Sequence, residues 1–233
     1  MPLAARTRGC FSPMIERYIQ AVNIEAPGME TPAETRERLK GRFPSGTARR
    51  MTQLGMLIGS VLGGLEPADG DAVVYASAFG ESRALESFLE SFPGASPTLF
   101  QTSIHPSGVQ QGLIGRQRSV SELFPFVGAG CGVGHALLTA MLSPVERVLF
   151  CGGEERGTWL RELGVASEKT FAFGVEFGRS RKSGTLARVA VLTDAGNTQK
   201  LSLVDWFKVL EGRRSYDGPL MPGSKLQFVW ENP

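Results

Sequence analysis

Residues 126–142 read FVGAGCGVGHALLTAML. Phe126 and Val127 close an apolar run, glycines fill alternate places from Gly128 to Gly134, and the remainder spaces apolar residues as a buried helix does. A strand that turns through such a bend into a helix is where α/β proteins carry nucleophiles and phosphate sites. Three motifs of that kind can be tested. A dinucleotide fingerprint needs glycines at relative places 1, 3 and 6, yet the sixth place is Val133 counted from Gly128 and His135 counted from Gly130. A P-loop needs lysine followed by serine or threonine, and none is present. An elbow centred on Cys131 would have Ala129 and Val133 where two small residues belong, a poor fit. Taken alone, the bend leaves Cys131 open as a nucleophile or as a small apolar filler.

The chain around it has 233 residues, 42% hydrophobic and 21% charged, enough to bury a sizeable core. Its 25 basic and 23 acidic residues are spread along the length, which argues against nucleic acid. No stretch has the length and apolarity of a membrane span, and residues 1–20 lack the apolar core of a signal peptide. A soluble cytoplasmic protein is expected. Cys10, Cys131 and Cys151 are far apart and odd in number, so no disulfide framework is expected, and the two histidines, His105 and His135, lack ligand spacing, so no metal is expected.

Working outward, TPAETRERLKGRF predicts a helix capped by Thr31 with Pro32 first. GTARRMTQLGMLIGSVLGGL predicts a central helix, with Gly55, Gly59 and Gly63 leaving a flat face for close packing. Strands are expected in DAVVYASAFG, 98–104, SELFPFVGA, RVLFCGG, TFAFGVEFG and LARVAVLTD, the last two as an antiparallel hairpin about the basic turn RSRKSG. Helices are expected in ESRALESFLESF, HPSGVQQGLIG, GVGHALLTAML, ERGTWLREL and LVDWFKVLEG, before a final apolar stretch, KLQFVW. The alternation argues for an α/β fold, with a mixed, mostly parallel sheet covered by helices on both faces. Residues 1–194 are expected to form the domain and 195–233 an extension packed on it.

The segment SIHPSGVQQGLIG…FPFVGAGCGVGHALL, preceded by RRMTQLGMLIGSVLGGLEPADGDAVVYASAFGE, resembles the N-terminal half of the β-ketoacyl synthases of the thiolase superfamily. It is similar above all to the short ketosynthase-like chain-length factors of aryl polyene biosynthesis, over roughly residues 20–180. EAPGM, the pair Arg49 and Arg50, and the turn Ser103–Ile104–His105 all have counterparts there. Laying His135, Ala136 and Leu137 on the family's His-Ala-aliphatic triplet puts Ala129 on its alanine and Gly130 on its nucleophile. Cys131 then falls one place late, about 100° around the helix. The other register, with Cys131 as nucleophile, loses those matches.

The family's condensation also uses two histidines from the C-terminal half of a longer chain, and no histidine follows His135 here. The resemblance therefore implies a thiolase-like half that is not catalytic on its own and uses no cofactor. Its implied partners are a full-length β-ketoacyl-ACP synthase, in a heterodimer, and an acyl carrier protein. Ser103, Ile104, His105, Phe124 and Phe126 would line the tunnel or interface, and Arg49, Arg50, Arg116 and Arg118 would contact the carrier protein. An acyltransferase using Cys131, with His135 beside it, and a homo-oligomeric acyl-binding or scaffold protein are the alternatives.

Overall fold

Extended chain sends successive side chains to opposite faces, and the apolar strands of this protein use both. The structure, a computed structural model, describes residues 15–104, 106–130 and 132–231. In chain order these form β1 (Ile15–Glu25), α1 (Pro32–Leu39), a 3₁₀ turn (Lys40–Arg42), α2 (Ser45–Ala48), α3 (Gln53–Gly63), β2 (Ala72–Ser77) and α4 (Ser82–Glu90). Next come α5 (Pro97–Ser103), α6 (Ser107–Gly115), β3 (Glu122–Val127), α7 (Gly132–Leu142), β4 (Arg147–Glu154) and α8 (Trp159–Glu162). The chain continues through β5 (Phe171–Gly178), β6 (Ala187–Asp194), α9 (Leu203–Glu211), β7 (Tyr216–Met221) and β8 (Gly223–Trp230). No described helix is long and apolar enough to cross a membrane.

One sheet holds the strands in the order β3-β2-β4-β5-β1-β6-β8-β7. The mixed α/β class is as expected, but the sheet is not mostly parallel. Only β2 runs parallel to its neighbours β3 and β4, and the other pairs are antiparallel. Parallel strands need a crossover that returns the chain to the starting end, which α4–α6 and α7 provide. After β4 the connections carry only the short α8, turns and α9; β5, β6 and β7 all run opposite to β4, and β1 and β8, which run the other way, separate them into antiparallel pairs.

Three further expectations change. β5 and β6 do not form a hairpin, because β1 lies between them and pairs with both. Residues 98–104 are not a strand: Ser96 caps α5 by accepting from the Leu99 N–H at 3.3 Å, with Pro97 in its first turn. The last residues form two strands, β7 and β8, where one apolar stretch was expected.

Alternation along the strands divides the interior in two. Val73, Tyr75, Leu149 and Cys151 face α3 and α6, whereas Ala72, Val74, Ala76, Val148 and Phe150 face α7 and α9. Trp206 of α9 packs among Phe150, Phe173 and Phe228 on the second side. Cys151 is fully buried, which pushes its thiol up to about 12, so it is inert at neutral pH.

α3 is buried at every position from Gln53 to Leu62, and its glycines admit a second helix at backbone contact. A Cβ on Gly108 of α6 would lie 2.7 Å from the Gly55 Cα, and one on Gly112 would lie 3.3 Å from the Gly59 Cα. Gly108→Ala should therefore lower stability by about 1–3 kcal/mol, because two helix backbones must separate, outweighing the roughly 1 kcal/mol gained in helix propensity. Gly46→Ala in α2, where a Cβ meets nothing within 4 Å, is the control and should keep the propensity gain, raising stability by up to about 1 kcal/mol in urea unfolding.

Candidate functional site

Crevices in open α/β sheets form beyond the carboxyl ends of parallel strands. Here those ends belong to β2, β3 and β4, closing at Ser77, Val127 and Glu154. Gly128 follows β3 with φ 145°, a conformation that side chains disfavour, and donates its N–H to the Ser77 carbonyl. The chain then passes Ala129 and Gly130 and enters α7, the strand, bend and helix expected from the sequence. A cavity of about 230 Å³ opens at this bend, walled by Gly128, Gly130, Val133, Phe79, Leu203 and Val204. Lys200 crosses to it, donating to the Ala129 carbonyl at 3.3 Å.

Glu154 forms part of the same wall and is 1% exposed. Its Oε1 accepts from the Ser77 hydroxyl at 3.0 Å and from the Ala78 N–H. Its Oε2 is buried and has no hydrogen-bond partner among the described residues. Burial pushes this carboxyl up to about 7, against the pull of those donors. The next residue turns to the opposite face of the sheet. Glu155 accepts from the Leu54 N–H of α3 at 3.2 Å and from the Arg83 N–H of α4 at 3.3 Å. Nearby, Glu81 accepts from the Thr52 hydroxyl at 2.8 Å and the Ser107 hydroxyl at 3.2 Å. Burial raises both carboxyls well above the ordinary range. None of these glutamates was singled out in the sequence. The signal was there in CGGEE, since two glutamates directly after a buried strand must sit where carboxylates are seldom free.

Among solved structures, a chain of the ketosynthase (ApeO) in complex with its chain length factor (ApeC) from Xenorhabdus doucetiae aligns with a TM-score of 0.66 at 19% identity. The alignment covers 93% of this chain and 100% of that one. A β-ketoacyl synthase from Burkholderia phymatum aligns with a TM-score of 0.52 at 12% identity, over 80% of this chain and 66% of that one. No protein-family model matches the chain, and no curated protein sequence does. The fold is that of the ketosynthases.

Within the ketosynthase fold the residues singled out from sequence divide into separate places. Gly130 lies at the cavity. His135 is exposed on α7 and does not line that cavity. Cys131 and His105 lie outside the described residues. Phe124 and Phe126 are half-buried against the core from the edge strand β3. Ser103 donates to the Phe100 carbonyl at 2.7 Å and ends α5, followed by exposed Ile104. Arg49 and Arg50 are exposed beside a second cavity on the α3 side, and Arg118 is exposed after α6. Arg116 is engaged within the fold instead, 5.7 Å above the Phe43 ring and donating to the Arg42 carbonyl at 3.3 Å. Among the described residues, no three of His, Cys, Asp or Glu gather where they could hold a metal ion.

The buried carboxyls give stability a defined pH dependence. Glu154 titrates near 4.5 when free in water and near 7 when folded, so between those values the native chain keeps a proton that the unfolded chain has lost. Stability is therefore full below about 4.5 and declines as pH rises toward 7, by up to about 3 kcal/mol for this one group. Glu81 and Glu155 act in the same sense. Thermal melts should show a Tm that drops between acidic and mildly alkaline buffer, and Glu154→Gln should flatten part of the slope. A wild-type Tm that stays level or climbs over that interval would contradict the assignment.

Proposed function

We propose that the chain is a chain-length-factor subunit, itself without condensing activity, that pairs with a full-length β-ketoacyl-ACP synthase and shapes its acyl tunnel. The observation that carries this reading is the alignment with a chain of a ketosynthase–chain length factor complex, over all of that chain and nearly all of this one. The β-ketoacyl synthase, by contrast, has a third of its length without a counterpart here, 66% being covered.

Two features of the structure support pairing. β3 is an edge strand whose outer backbone groups are free to continue the sheet into another chain. The crossover that leads into it also carries exposed apolar side chains, with Phe92 56%, Phe100 51%, Ile104 49% and Ile114 75% exposed. Exposed apolar groups so concentrated mark an interaction surface. Ser103, Ile104, Phe124 and Phe126 belong to this region, and we assign them to the interface or the tunnel. Arg49, Arg50 and Arg118 remain available to an acidic carrier protein, whereas Arg116 is already engaged.

The non-catalytic part of the reading rests on the bend. Gly130 offers no nucleophile, and the ionisable groups lining the cavity among the described residues are Glu154 and Lys200. Lys200 is held on a backbone carbonyl.

Two measurements test the proposal. The chain should co-purify with the full-length synthase, and Ile104→Glu with Val127→Glu, both at exposed positions, should abolish co-purification while leaving the circular dichroism unchanged. Intact-mass analysis after incubation with an acyl-carrier-protein thioester should show no adduct. A stable acyl adduct that disappears in Cys131→Ala would overturn the non-catalytic reading, and a wild-type chain that never co-purifies would overturn the pairing.

A further inference from the structure

Proline cannot donate a backbone hydrogen bond, so in a sheet it is confined to places where no donor is needed. Of the eight described strands, the two that contain proline are the two edges: Pro125 lies in β3 and Pro219 in β7. The edges are otherwise unlike. β7 already gives one carbonyl, that of Leu220, to the Leu201 N–H at 3.0 Å. β3 is open, since no described strand flanks its outer side and both Pro125 and Val127 are exposed.

The neighbouring strand fixes which way Pro125 directs its backbone. The carbonyls of Asp71 and Ser77, at the two ends of β2, both accept from the β3 side, from the Ser121 N–H at 2.8 Å and from the Gly128 N–H at 3.0 Å. Backbone groups alternate between the two edges of a strand, and the ladder from Ala72 to Ser77 runs without a shift. Tyr75, an even number of places from both carbonyls, therefore turns its N–H and C=O toward β3 as well. In a parallel pair the residue registered opposite such a group faces away, because the bonds go to the residues before and after it. Tyr75 is registered with Pro125. Pro125 thus belongs to the outward row, with Leu123 and Val127. That row offers three carbonyls and two N–H groups, and the missing donor is the central one.

This gap weighs differently on different partners. If β3 meets β3 of a second copy across a twofold axis, the strands run antiparallel and each brings the same defect, so two interchain hydrogen bonds are lost. The Cδ of each ring also stands where the other strand would approach. A strand of different sequence with a full set of donors forfeits one bond and keeps the rest. Natural sheets use edge prolines to keep identical edges apart, and discrimination can come from such a penalty against the wrong partner as well as from attraction to the right one. We propose that Pro125 is a specificity-determining residue: it bars β3 from pairing with a second copy of this chain, so that the edge is left to a strand of a different chain. That the different chain is a synthase rests on the pairing proposed above; the exclusion of a second copy does not.

Sedimentation velocity on the isolated chain over a concentration series tests the exclusion without the synthase. Pro125→Ala restores the donor without adding apolar surface and should tighten self-association by about thirtyfold, the worth of two hydrogen bonds. Pro125→Val, which restores the same donor in a stronger strand former, should do likewise. Adding Val127→Pro to Pro125→Ala takes another donor from the outward row and should reverse the gain. In dilute, monomeric Pro125→Ala the new amide at position 125 should exchange rapidly with solvent by NMR, as an outward group must, and should become protected as the dimer forms. The proposal fails if neither Pro125→Ala nor Pro125→Val tightens self-association, if Val127→Pro weakens self-association of the wild-type chain as much as that of Pro125→Ala, or if the new amide is already protected in the monomer. A wild-type chain that never co-purifies with the synthase would remove the synthase as the occupant and leave these results standing.

Discussion

The parallel pairing of β2 with both β3 and β4 is the constraint on which the rest of the molecule depends. Each parallel connection must carry the chain back over a face of the sheet, and the two connections take opposite faces. α6 returns against α3 on one face, while α7 returns against the side later covered by α9. Three strands consequently finish at one level, with a loop leaving each. The glycine-rich bend, the Ser77 turn and the pair Glu154–Glu155 meet there because of topology, although 77 residues separate Ser77 from Glu154 in the chain.

The buried carboxyls show how this junction is held. A charged glutamate in such surroundings would be costly, and each one instead accepts hydrogen bonds from groups that would otherwise be unsatisfied. Glu155 joins the first turns of α3 and α4, Glu81 joins the cap of α3 to the start of α6, and Glu86 takes the N–H groups of Thr158 and Leu160. Two consecutive residues at the end of β4 face opposite ways, so one strand end contributes to both cavities. Any shift of β4 along its axis would disturb both together.

How far the sequence announces this arrangement varies with the kind of signal. Helices with caps and one apolar face were legible: Thr31 and Glu34 form the capping box of α1, and Pro32 opens its first turn. The glycines of α3 likewise announced a close neighbour, which is α6. β1 was not legible, because Glu16, Arg17, Gln20 and Asn23 interrupt its apolar residues and a register shift between Ile19 and Ala21 breaks the period of two. Its place between β5 and β6 is a long-range fact that local pattern does not encode. Missing it made the neighbouring strands look like a hairpin. α5 was misread because Thr98, Leu99, Phe100 and Thr102 favour strands locally, yet the cap at Ser96 and the following proline decide the outcome. At the site, the bend was visible and the carboxyls around it were not, since burial of a glutamate depends on which strand ends stand beside it.

The two glycines of the bend then differ in kind. Gly128 is demanded by the backbone, whose φ of 145° would strain any side chain. Gly130 is not: a Cβ there would meet nothing within 4 Å, and its backbone does not fall in the region that favours glycine. Sterics therefore leave room for a side chain at this position, and neither packing nor backbone requires a glycine there. What holds the bend in shape lies beside it: the positive φ at Gly128, the tether from Lys200 to Ala129, and the carboxyl of Glu154 fixing the turn after β2.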